Sequence, residues 1–178
     1  MRRLEQRDLS GLTVALKTPV AIDVSEAGVG QVRAGQVGAE QVGAGQVGDA
    51  LPALGEDAWF DRKSACTRPV ALAPAISGMA NAEGGLVVMG VHDDAVEGLT
   101  AAGDGDGWRQ VNLEFVEPLT SVRIHKVACR TATGPHDHLL VLDVGPSKRP
   151  QNANSDEVHL RVGDETKKLT FEQRLERG

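Results

Sequence analysis

Residues 81–94 read NAEGGLVVMGVHDD, and the change of pattern inside this stretch decides the fold. Just upstream, Leu72, Ala75, Ile76, Met79 and Ala80 recur at the three- and four-residue spacing of one helix face. Pro69 and Pro74 punctuate the start of that helix, since a first turn tolerates proline. Gly84 and Gly85 end it by allowing positive φ in a tight helix-to-strand turn. Asn81 is expected to cap the helix end or to bond across the turn. Leu86 to Val91 is then a continuous apolar run of the buried-strand type.

Working outward, Ala58–Lys63 (AWFDRK) reads as a short strand and Trp108–Val116 as a helix stopped by Pro118. Ser121–Ala132 and His138–Val144 read as paired strands joined across the turn-rich TGPHD. Glu157–Val162 is a further strand. The last helix is expected over Thr170–Arg177, with Thr170 and Gln173 at capping-box spacing. This pattern implies an α+β fold, a mixed β-sheet flanked by helices, over residues 56–178. Residues 1–27 hold a strand-like segment, Leu12–Val24. Residues 28–55 carry four pentapeptides: GQVRA at 30, GQVGA at 35, EQVGA at 40 and GQVGD at 45. With so little apolar area per unit, a flexible linker is the default and a small stacked β-structure the alternative.

The 178-residue chain is 40% hydrophobic but only 3% aromatic, so its core must be aliphatic. No apolar run approaches the ~20 residues a spanning helix requires. The basic start lacks a secretory h-region, which points to a cytoplasmic protein. Cys66 and Cys129 stand far apart, outside any zinc-ligand spacing, and are expected to be buried, reduced thiols. The net charge of -6 is unlike the basic footprint of a nucleic-acid binder. Locally the balance reverses: from Ser121 to Pro150, Arg123, Lys126, Arg130, Lys148 and Arg149 face only Asp137 and Asp143.

Four landmarks follow one another in order. They are Glu56-x4-Asp61-x-Lys63, Asn81-x2-Gly84-Gly85 before a strand ending Gly90-Val91-His92-Asp93-Asp94, the segment Pro146-Ser147-Lys148-Arg149-Pro150, and Arg161-Val162-Gly163-Asp164-x-Thr166. The series resembles the Schlafen-type AlbA-like domain of single-domain bacterial proteins. That family shows a Glu followed by an acidic-aromatic-Lys triplet, an Asn-x-x-Gly-Gly turn, a Gly-Val-x-Asp strand end and a late Arg-x-Gly-x-x-Thr. Here Arg62 replaces the aromatic residue, Asp61 stands where Glu is common, and His92 occupies a position that is often acidic. The zinc-binding cysteines of some animal relatives are missing.

The resemblance implies that Glu56, Asp61 and Asp93 form a catalytic and metal-binding carboxylate trio. Such a trio would hold Mg²⁺ or Mn²⁺ for endoribonuclease action on structured RNA such as tRNA. Clustered carboxylates do suit a hard divalent cation, and such a cation can activate a nucleophile against a phosphodiester. Asp94 can stand in for Asp93, and the structural alternative is that all of them are solvated or capping. Residues five apart on a continuous strand face opposite ways, so Glu56 can join Asp61 only from a turn before the strand. The expected RNA- or DNA-binding residues are Lys63, Arg123, Lys126, Lys148, Arg149 and Arg161. Lys63 is equally readable as an ion-pair partner of Asp93 or Glu56, and Arg161 as a structural ion pair. The histidines show no HExxH spacing and receive no role. A lone copy of a domain that is doubled in animal relatives implies a homo-oligomer. Competing readings are a non-catalytic nucleic-acid-binding module and, from the repeat and the acidic charge, an oligomeric scaffold.

Overall fold

A computed structural model describes residues 51–103, 106–134, 136–154 and 156–175. The expectations for residues 1–27, and for the repeat up to residue 50, lie outside the described residues. Five residues of the expected linker do lie inside. Leu51–Ala53 form a 3-10 turn, and Leu51 is fully buried against Phe60 and Val88 in one core cluster.

Two four-stranded sheets enclose a helix. The first has the order β1-β2-β7-β6 and is built from Phe60–Lys63, Gly85–Met89, His136–Val144 and Val122–Arg130. β1 and β2 run parallel, with Asp61 opposite Val87, and the other pairs are antiparallel. Side chains alternate between the two faces. Val87, Met89, Leu140 and Leu142 enter one cluster with helix α1, Pro69–Asn81. Leu86, Val88, Leu139 and Val141 enter the other, with Leu51 and Val91. Burial on both faces explains why β2 reads as an unbroken apolar run.

The hairpin β3–β4, Val91–His92 with Ala95–Val96, extends from β2, and Asp93 and Asp94 form its two-residue turn. Helix α2, Asp106–Glu114, packs on α1, with Trp108 and Val111 in the same cluster. Val116, expected in that helix, instead begins β5, Val116–Glu117. The second sheet has the order β10-β9-β8-β5, adding Glu165–Lys168, Glu157–Val162 and Asn152–Ala153. A five-residue helix α3, Phe171–Leu175, follows. At its start the Thr170 amide donates to the Gln173 side chain and the Gln173 amide to the Thr170 hydroxyl, which completes the capping box.

Pro69 holds the first turn of α1, whereas Pro74 lies inside the helix and not at its start. Cys129 is buried, but Cys66 is exposed, which corrects the expectation of two buried thiols. β6 is a nine-residue edge strand carrying Arg123, Lys126 and Arg130, and charges of this kind discourage edge-to-edge pairing. No helix among the described residues is long and apolar enough to cross a membrane.

Candidate functional site

The site grows from the free edge of β1. Glu56 lies in the turn before the strand, and its carboxylate accepts the outward-pointing Arg62 amide at 3.0 Å. Asp61 and Lys63 are two apart and share the sheet face that carries α1. The Lys63 ammonium donates to Asp61 Oδ1 at 2.8 Å. From the second sheet Arg161 reaches across to the same carboxylate at 3.5 Å. Its Nε donates to the Asp57 carbonyl at 2.9 Å, one terminal nitrogen to the Phe60 carbonyl at 3.1 Å and the other to the Thr166 hydroxyl at 3.3 Å. Arg161 therefore ties β9 to the outer edge of β1, sharing the Phe60 carbonyl with the Asp57 amide. The Arg161 side chain is 2% exposed and that of Asp61 1%, so a guanidinium this committed holds the domain together.

These residues line a cleft of about 340 Å³ with Glu56, His159 and Lys168. Glu56 and Asp61 do share a site, in the turn-then-strand arrangement that it requires. Asp93 does not line it. Its side chain is 89% exposed at the β3–β4 turn, 3.8 Å from His92. Asp94 is bound by Arg62 at 3.1 Å, on the face of β1 opposite Asp61. Among the described residues no three His, Cys, Asp or Glu side chains converge to hold a metal ion. Of the expected Mg²⁺ or Mn²⁺ trio only Glu56 and Asp61 share the cleft, with Asp164 also on its lining, and Asp61 is already engaged by Lys63 and Arg161. This donor set does not fit a divalent cation. One feature runs the other way: Asp61 Oδ2 is buried with no hydrogen-bond partner among the described residues.

Asn81 acts at long range. Its amide donates to the carbonyls of Gln151 and His159, both at 2.8 Å, and its oxygen accepts the Gln151 amide at 2.7 Å. It therefore laces the end of α1 to the second sheet instead of capping its own helix. The Met79 carbonyl accepts the Gly84 amide, and Gly84 takes φ of 82°, as its turn requires.

The expected nucleic-acid contacts fall in separate places. Arg123 is paired with Asp143 at 2.6 Å, and Lys126 is exposed on β6. Lys148 and Arg149 line a second cleft, of about 380 Å³, with Asn81, Ser147 and Arg174.

Sequence patterns missed His159, Lys168 and Arg174. His159 and Lys168 become neighbours only through the β9–β10 register, and a lone histidine carries no spacing signal. Burial lowers the pKa of His159 from its ordinary 6.5, and the nearby Glu157 carboxylate only partly offsets that. A depressed histidine leaves the unfolded chain binding more protons at acidic pH. Its stability contribution is therefore whole above 6.5 and shrinks as the pH drops through that value toward the folded pKa. Melting temperature is expected to decline with acidification between about pH 8 and 5. His159→Gln should flatten that decline, and an unchanged profile in the variant would remove His159 as its source.

No curated protein matches the chain. A crystal structure of the DIP2311 protein from Corynebacterium diphtheriae is similar, with a TM-score of 0.46 and 23% sequence identity, over 62% of this chain and 22% of that one. The chain thus corresponds to roughly a fifth of that protein's length. A family model described as Schlafen, AlbA_2 matches residues 56–170, close to the span over which both sheets and α1 are built. This chain belongs to the Schlafen AlbA_2 family.

Proposed function

We propose that the protein is a nucleic-acid-binding module, RNA being its favoured partner, in which the Glu56–Asp61 cleft serves as a structural joint. One observation carries this reading: Asp61 is closed in by Lys63 and Arg161, and among the described residues no three His, Cys, Asp or Glu side chains gather closely enough to hold a metal ion, although Asp164 also lines the cleft. Family membership supports the nucleic-acid partner, and the cations at Lys148, Arg149 and along β6 supply charge for phosphate contacts. A homo-oligomeric state belongs to the same proposal.

A second reading is a metal-dependent endoribonuclease acting on structured RNA such as tRNA. The buried, unpartnered Asp61 Oδ2 beside Glu56 favours it, because such an atom is costly unless water or an ion satisfies it.

Incubation with total tRNA and Mn²⁺ separates the two. Glu56→Gln is the main comparison, because Glu56 is exposed and its loss spares the buried pair. Wild type and Glu56→Gln are expected to leave the tRNA equally intact while both bind it, with affinity falling steeply as salt rises. Cleavage by wild type that Glu56→Gln abolishes would overturn the joint reading and establish the nuclease.

A further inference from the structure

The cleft beside Pro150 differs in character from the carboxylate cleft. Its rim carries Lys148 and Arg149, on the loop between β7 and β8, and Arg174, brought back by α3. Asp156 is its one acidic lining residue. Among the described residues neither Lys148 nor Arg149 makes an ion pair, unlike Lys63, Arg123 and Arg161. Arg174 is anchored by one terminal nitrogen on the Asp156 carbonyl at 3.2 Å, while its Nε is buried without a partner. Pro150, Val158 and Leu169 supply apolar lining to the same cleft, Val158 being buried, Leu169 half-buried and Pro150 exposed. A cationic rim with an apolar lining is the arrangement that one nucleotide matches, with phosphate on the rim and ribose or base on the lining. The volume of about 380 Å³ lies within the ~300–1,000 Å³ usual for small-ligand sites.

We propose that this cleft is a single-nucleotide subsite for an unstacked residue of single-stranded nucleic acid, its phosphate held by Lys148, Arg149 and Arg174. The proposal rests on the nucleic-acid-binding reading above and adds where the strand is gripped and in what form. A duplex keeps its bases stacked, so it can offer the rim phosphates but nothing to the apolar lining.

The test is fluorescence anisotropy of the whole protein with a labelled single-stranded RNA oligonucleotide and with its duplex. The comparison set is wild type, Arg174→Gln and Lys148→Gln/Arg149→Gln, each first checked for an unchanged melting temperature. Single-stranded RNA is expected to bind about tenfold more tightly than duplex. Each variant should lose about tenfold on the single strand, and the salt slope should shrink by roughly 0.7 per lost phosphate contact. AMP should compete for the site, whereas inorganic phosphate at equal concentration should compete less. Tight binding that both variants retain, an equal preference for duplex, or competition by phosphate as strong as by AMP would each overturn the subsite while leaving the wider reading in place. Wild type that binds neither tRNA nor oligonucleotide would overturn both.

Discussion

Replacing Arg161 by methionine is expected to destabilise the domain by roughly 3–5 kcal/mol, the usual cost of removing one partner of a buried ion pair. The side chain is 2% exposed, and its loss removes a partner from three groups at once. The Asp57 carbonyl loses its donor, the Phe60 carbonyl keeps only the Asp57 amide, and Asp61 keeps Lys63 alone. Methionine preserves most of the apolar stem, so the loss is one of hydrogen bonds and charge more than of packing. The melting temperature should drop by about 10 °C or more, and the urea midpoint by about 2 M. RNA affinity measured well below that melting point should stay within about twofold, since a twofold change is under 0.5 kcal/mol. A phosphate-contacting arginine would show the reverse: intact stability and weakened binding. A melting temperature within a degree or two of wild type would therefore remove Arg161 from the joint.

Gly84→Ala is the second large effect. Gly84 has φ of 82°, and a Cβ built there would stand 2.6 Å from the Val144 carbonyl oxygen and 3.0 Å from the Pro146 ring. The backbone conformation alone costs roughly 1–3 kcal/mol for a residue with a side chain. Intrusion into backbone atoms that cannot swing aside adds a further ~1–3 kcal/mol. Gly103→Ala provides the control, because Gly103 has nearly the same φ, 86°, and nothing within 4 Å of its Cβ position. Chemical denaturation of both variants should show Gly84→Ala to be clearly the worse. Equal losses would mean that the approach to the end of β7 relaxes freely.

The elements legible in the sequence are those with enough residues to show a period. α1 has thirteen residues and β6 and β7 have nine each, so their apolar positions repeat often enough to be counted. β3, β4, β5 and β8 span two residues each and leave no periodic trace. β10 is ETKK, mostly exposed, and only its pairing with β9 marks it as a strand.

The candidate site divides in the same way. Glu56, Asp61 and Lys63 lie within eight residues, and their local spacing was readable. Assigning Asp93 to them required knowing which side of β1 the β3–β4 turn occupies, and Arg62 engages Asp94 on the other face. Whether Arg161 meets phosphate or protein was left open by its motif. Its burial at the seam between the sheets decides for protein. Arg174 enters the second cleft only because α3 returns beside the β8–β9 turn, where it donates to the Asp156 carbonyl, and no local pattern announces that.

The Arg161 bonds also bear on how the chain is made. Their acceptors, Asp57 and Phe60, precede Arg161 by 104 and 101 residues. Once the chain has emerged as far as residue 150, β1, β2, β6 and β7 can pair, because their sheet partners all lie upstream, whereas α1 still lacks β9. Until the final segment emerges, Asp61 lacks one of its two cations and the Asp57 carbonyl its donor, while only the preceding turn covers the margin of β1. At ~5–20 residues per second of synthesis, that interval lasts a few seconds. A ribosome stalled within it would present a strand margin guarded only by that turn, a place where a neighbouring polypeptide can add.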